Sequence, residues 1–292
     1  MIGDTAAAPG RDDTVPKLLL RNAERFGHRP AFRRKDLGIW QTWGWAEVRD
    51  EVRALAIGLR KLGLERGDSV AIIGSNRPRL YWAFCAVQSI GAVPVPIYQD
   101  SVADEMAYVL EHAEAGYAIV QDQEQVDKLL SIADRLPRLQ QIVYDEPRGL
   151  KDYDPSHLHE YAAVQALGRK EITENKDAAS WWLDEIAKGT GGDVSVMLYT
   201  SGTTGRPKGV MLTHENVVVS GQNANKFDKF TANDTLLAYL PMAAACRVET
   251  FPDPALTARD VELLSLTPKF ARNQDPFRMR QSQRRRNARA HR

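Results

Sequence analysis

Residues 70–144 alternate between two kinds of pattern, and that alternation narrows the available folds more than any other feature of the chain. Short runs of strand-forming residues stand at 70–73, 93–97, 118–120 and 141–144. Helical stretches lie between them, at 78–90, about 102–112 and about 124–133. Strands separated by helices of this length pair in parallel through right-handed crossovers, so the expectation is an α/β fold with helices flanking a parallel βαβ sheet. Pro94 and Pro96 lack the N–H a central strand needs, which places 93–97 at an edge or in a tight passage. Ser101 is the expected N-cap of the second helix, with Asp104 and Glu105 at its positive dipole end.

Upstream, Val48, Val52, Leu55, Leu59 and Leu62 recur at helical spacing and form one apolar stripe that should pack on a sheet. Gly63 sits where that helix stops. Residues 14–26 suit a helix with Pro16 in its first turn, and 31–33 with 39–43 suit a hairpin. From about 149 to 193 the periodicity fades. Gly168, Gly189, Gly191 and Gly192 read there as punctuation, and Trp181-Trp182-Leu183 as the anchor of a short helix.

Composition excludes several classes. A chain of 292 residues with 43% hydrophobic and 26% charged residues can bury a sizeable core. It has no apolar run near the roughly 18 residues of a membrane span, and no basic-then-apolar start. The expected location is therefore the cytoplasm, with no transmembrane segment and with room for peripheral membrane contact. Cys85 and Cys246 are too few and too far apart for a disulfide framework, and the scattered histidines suggest no metal site, so no metal ligand is assigned.

The chemistry gathers at residues 199–210. The run 194–198 reads as a short buried strand, and after it come Thr200, Ser201, Gly202, Thr203, Thr204, Gly205, Arg206, Pro207, Lys208 and Gly209. Glycines let the backbone come close to a ligand, while hydroxyls and one ammonium surround it, a combination suited to a polyphosphate. A Walker A frame counted from Gly202 would need glycine where Pro207 stands, so this is a different phosphate loop. Residues 210–213 read as a strand returning antiparallel, and a helix follows from His214 to about Phe227, with His214 read as structural. Residues 235–240 read as the next strand.

Residue by residue, Thr200 to Gly209 resembles the signature loop of the acyl-adenylate-forming (AMP-binding) enzymes. The run from Gly91 to Tyr98, and its spacing from that loop, looks like the long-chain fatty acyl-CoA synthetases. The resemblance implies the amino-terminal part of the adenylate-forming fold. It also implies ATP and Mg²⁺ as cofactors, a fatty acid and coenzyme A as co-substrates, and Thr200, Ser201, Gly202, Thr203, Thr204, Gly205 and Lys208 as the phosphate-binding set. Tyr98 reads equally well as core and receives no substrate contact.

The likeness covers about residues 14–243. Family motifs that hold the metal, the ribose and the reacting carboxylate, the first being Tyr-Gly-x-Thr-Glu, do not occur after it. The expected division is a disordered 1–13, a partial adenylation domain at 14–243 with the family's carboxyl-terminal domain absent, and an unrelated, frame-shifted or disordered tail at 244–292. Within that tail, one weak helical run spans 256–266. Residues 276–292 hold seven arginines and no acid, against a net charge of +1 for the whole chain. Two functions follow. The first is a truncated long-chain fatty acid:CoA ligase that is inactive by itself, with no nucleic-acid partner. The second is a non-catalytic binding protein whose basic tail meets a polyanion.

Overall fold

A computed structural model describes residues 12–200, 207–229, 234–238 and 261–265. In chain order the elements begin with α1 (Val15–Phe26), β1 (Pro30–Asp36), β2 (Ile39–Gly44), α2 (Trp45–Lys61), β3 (Ser69–Ile73), α3 (Pro78–Ile90) and β4 (Val93–Ile97). Next come α4 (Ala103–His112), β5 (Tyr117–Val120), α5 (Gln123–Leu130), β6 (Gln141–Tyr144), β7 (Leu158–Glu160), α6 (Tyr161–Glu174) and α7 (Asp177–Lys188). The last are β8 (Val194–Thr200), β9 (Lys208–Thr213), α8 (His214–Asp228), β10 (Asp234–Leu237) and β11 (Val261–Ser265).

Five strands form the parallel sheet, in the order β4-β3-β5-β6-β7. Side-chain alternation divides its strands between two cores. Val70, Ile72, Ile119 and Val143 join a cluster with α1, α2, α3, α6 and α7. Ala71, Ile73, Ala118, Val120 and Ile142 join another with α4 and α5. Both faces are covered, which is the condition a parallel sheet requires.

The prolines of β4 decide where this sheet ends. The N–H of Val93 donates to the carbonyl of Asp68 at 2.8 Å, toward β3. By alternation Pro94 and Pro96 point the other way and leave that side without a donor. Strand β8 lies alongside β4, yet no ladder joins them. Among the described residues it pairs antiparallel with β9 alone. The connection at 201–207 therefore joins the two strands of a hairpin that is separate from the five-stranded sheet.

Several elements formed where the sequence placed them, and others did not. The β1–β2 hairpin turns through Leu37 and Gly38, both at positive φ, the conformation a tight two-residue connection uses. Helix α2 is buried over more than one stripe, from Ala54 to Leu59 without a break, and it packs chiefly on other helices rather than on a sheet. Its main partner is α6, in the region where periodicity faded. Gly168, read as punctuation, sits inside α6. A Cβ there would collide with the Ala54 carbonyl, and one at Gly58 with the Val164 carbonyl. Two glycines thus let two helix backbones touch.

Three smaller readings also change. The N-cap of α4 is Val102 rather than Ser101, with no side-chain capping bond, although Asp104 and Glu105 do occupy its first turn. Asp13, placed in a disordered start, is held by Lys17 Nζ at 2.8 Å and by the Gly191 N–H at 2.8 Å. Residues 261–265, inside the expected helical run, form β11, which pairs in parallel with β10 and β1.

Candidate functional site: the β8–β9 hairpin

Strand β8 is anchored on two sides because its residues alternate. Val196 and Leu198 enter the first core, while Met197 and Tyr199 lie against the second. A buried amide also grips its start: Gln88 Nε2 donates to the Ser195 carbonyl at 2.8 Å and to Ser195 Oγ at 2.9 Å. The register with β9 pairs Leu198 with Val210, Tyr199 with Gly209 and Thr200 with Lys208.

Of the predicted phosphate-binding residues, the structure places Thr200 and Lys208. Ser201, Gly202, Thr203, Thr204 and Gly205 lie outside the described residues. Thr200 is the last residue of β8 and Lys208 the first of β9, and both are exposed. Directly opposed residues project from one sheet face, so the side chains of Thr200 and Lys208 leave the same face at the mouth of the connection. Tyr199 and Gly209, one step back, belong to the opposite face.

That opposite face meets α4. The Tyr108 hydroxyl donates to the Pro207 carbonyl at 3.1 Å, and the Tyr199 hydroxyl shares a 2.6 Å hydrogen bond with His112 Nδ1. Burial pushes the Tyr199 phenol up to about 12, with Tyr108 adding to the shift, so it stays protonated. The sequence reading missed Tyr108 and His112, whose only local signal was their four-residue spacing on one helix.

At the carboxyl end of β9 the chain turns into α8. Thr213 Oγ1 accepts from the Asn216 N–H at 3.2 Å and Asn216 Oδ1 accepts from the Thr213 N–H at 3.1 Å, a reciprocal cap. His214 is buried, and its Nδ1 accepts from the N–H of Val15 at 3.3 Å. That N–H is one of the orphan donors of α1. Pro16 has none to satisfy, and Lys17 donates to Thr14 Oγ1 at 3.4 Å. Burial holds the imidazole down to about 4, so it is neutral and structural, as expected from sequence. Tyr98, which could have been core, is 41% exposed.

Other candidate places are spent on structure. At the carboxyl end of the parallel sheet, Arg79 Nη1 donates to Asp145 Oδ1 at 2.9 Å, and Gln121 Oε1 accepts from the Ser75 N–H at 2.7 Å. A cavity of about 270 Å³ lies between α1, α7 and the start of β8, lined by Gln88, Asp193 and His214 among others, at the end of β8 away from Thr200. Among the described residues no three His, Cys, Asp or Glu side chains converge to hold a metal ion. Among the described residues, no helix is long and apolar enough to cross a membrane.

A family model described as AMP-binding enzyme matches residues 19–256. The chain belongs to that family. The match extends past residue 243, where the sequence reading placed the end of the likeness. Curated relatives in the AMP-binding family include the long-chain-fatty-acid–CoA ligase ACSBG2 of Rattus norvegicus, 31% identical over 244 residues, which cover 80% of this chain and 35% of that protein. The long-chain-fatty-acid–CoA ligase FadD15 of Mycobacterium bovis is 29% identical over 238 residues, covering 80% of this chain and 37% of that one. The chain spans about a third of the length of these relatives.

Solved structures of the same fold include apo MbtA of Mycobacterium smegmatis, with a TM-score of 0.68 at 21% identity over 90% of this chain and 46% of that one. The inhibitor-bound N-terminal domain of FACL13 from Mycobacterium tuberculosis gives 0.61 at 23% identity, over 87% of this chain and 57% of that one. The α/β architecture is therefore that of the amino-terminal domain of adenylate-forming enzymes.

Proposed function

We propose that these residues belong to a long-chain fatty acid:CoA ligase, which activates a fatty acid with ATP to acyl-AMP and passes the acyl group to coenzyme A. The observation that carries the reading is the pairing of Thr200 with Lys208 at the base of a Gly/Ser/Thr connection. In this scheme Thr200, Ser201, Gly202, Thr203, Thr204, Gly205 and Lys208 hold the β and γ phosphates, and Lys208 offsets the charge that gathers on departing pyrophosphate. The full reaction would use Mg²⁺, in the cytoplasm and with peripheral contact to a membrane surface.

A clamp on phosphate is one part of such a site. The metal, the ribose and the carboxylate need further groups, and the family motifs for them do not occur in these 292 residues. The polypeptide of this sequence, purified alone, binds ATP weakly and does not turn over. Fatty-acid-dependent pyrophosphate release at an enzymatic rate, roughly 1 s⁻¹ or faster, would overturn its inactivity. ATP binding that is unchanged in Lys208→Ala would overturn the phosphate assignment.

A further inference from the structure

We propose that Tyr108 and His112 are positioning residues that fix the β8–β9 hairpin from behind and so set Lys208 where it can meet a polyphosphate. The inference rests on the phosphate reading of Lys208 given above. Its geometry, however, is independent of that reading. Tyr108 and His112 are four residues apart on α4, so they share a helix face. Their rings lie 5.7 Å apart, and the His112 ring meets that of Tyr199 edge-on at 5.6 Å. With the two hydrogen bonds, three rings connect the incoming limb at Tyr199 to the outgoing limb at Pro207.

Each end of this tether has a reason to be where it is. Pro207 has no N–H, so its carbonyl is the only backbone hydrogen-bonding group it offers, and Tyr108 takes it. Opposite Tyr199 stands Gly209. A Cβ there would lie 3.2 Å from Tyr199 Cζ and 3.3 Å from its hydroxyl, so glycine lets the ring lie flat across the strand pair. On its other side α4 is rooted in the second core through Met106, Ala107, Val109 and Leu110. Because strand faces alternate, the tether occupies the Tyr199 face, opposite the one from which Thr200 and Lys208 project.

The decisive variant is Tyr108→Phe in the full 292-residue chain, since it keeps the ring and removes only the hydroxyl. Trypsin reads the hairpin directly. The bond after Arg206 is protected by Pro207, so local opening appears as cleavage after Lys208. Loss of the hydrogen bond to Pro207 should speed that cleavage about three- to tenfold and weaken tripolyphosphate binding, followed by calorimetry, by a similar factor. The thermal midpoint and cleavage elsewhere should not change.

His112→Leu should act in the same direction. Unchanged cleavage in both variants would remove the tether. Faster cleavage with unchanged tripolyphosphate affinity would make it a structural clasp and overturn the positioning role. If the parent chain does not bind tripolyphosphate, the phosphate reading fails and the positioning role falls with it. Cleavage rates would still show whether the clasp exists.

Discussion

The parallel sheet and the β8–β9 hairpin lie against each other but are ordered by different forces. The sheet is closed on both faces by apolar side chains, and its strands β3 and β5 have neighbours on each side. The hairpin has a single ladder among the described residues, sinks Val196 and Leu198 of β8 into the first core, and takes the rest of its order from a few directional contacts: Gln88 on Ser195, Tyr108 on Pro207, His112 on Tyr199 and the Thr213–Asn216 cap. Apolar packing tolerates little change of volume, whereas hydrogen bonds can be broken one at a time. In this chain the scaffold lies in the first region and the proposed chemistry in the second. Elements that must adapt to a ligand are drawn from the less stable parts of a fold.

The largest effect should come from breaking the first region at its tightest point. Gly168→Val places a branched side chain where the Ala54 carbonyl already lies, and backbone cannot move aside as a side-chain tip can. Overpacking commonly costs about 1–3 kcal/mol, and a collision with backbone should reach or exceed the top of that range. Urea unfolding should show a midpoint well below that of the parent chain. A variant as stable as the parent would mean that α2 and α6 separate freely.

The same helix pair shows why parts of this fold were legible and parts were not. Helix α3 begins at Pro78 and is stopped by Gly91 at φ 81°, and β4 carries alternate prolines. Both sets of bounds follow from local chemistry and were readable. Helix α6 has no side-chain cap, and its glycine makes sense only against α2, more than a hundred positions earlier. Ser101 looked like a cap, but the extended backbone extends one residue further, to Val102. In the candidate site the residue types at 200–208 are what point to the proposed phosphate chemistry. The clasp behind them joins residues 99 and 87 positions apart, which no local pattern encodes.

A second prediction concerns the joint between the two regions. His214, at the start of α8, accepts the first N–H of α1 and so ties the hairpin corner to the helices over the sheet. Protonation would remove that acceptor and place a buried charge at the positive end of a helix dipole. The folded-state value near 4 lies below the ordinary 6.5, so between those values the unfolded chain binds more protons. Stability is therefore complete above pH 6.5 and falls as the pH drops toward 4, by at most about 1.4 kcal/mol per pH unit. His214→Gln should flatten this part of the pH–stability curve measured by urea unfolding. An equal slope in the variant would place the acid sensitivity on carboxylates instead.

The smallest expected effect is the sharpest test of whether the two regions open separately. Thr213→Ala removes the hydroxyl that accepts from the Asn216 N–H, while the ladder to Val194 keeps its backbone groups. Losing such a cap costs about 1 kcal/mol. If the hairpin and α8 form a unit of lower stability than the sheet, that cost appears locally. Amide exchange should quicken about fivefold in β9 and the first turn of α8 and stay unchanged in β3 and β5. Equal acceleration in β3 would mean that sheet and hairpin unfold together, and the directional contacts would then be parts of one cooperative core.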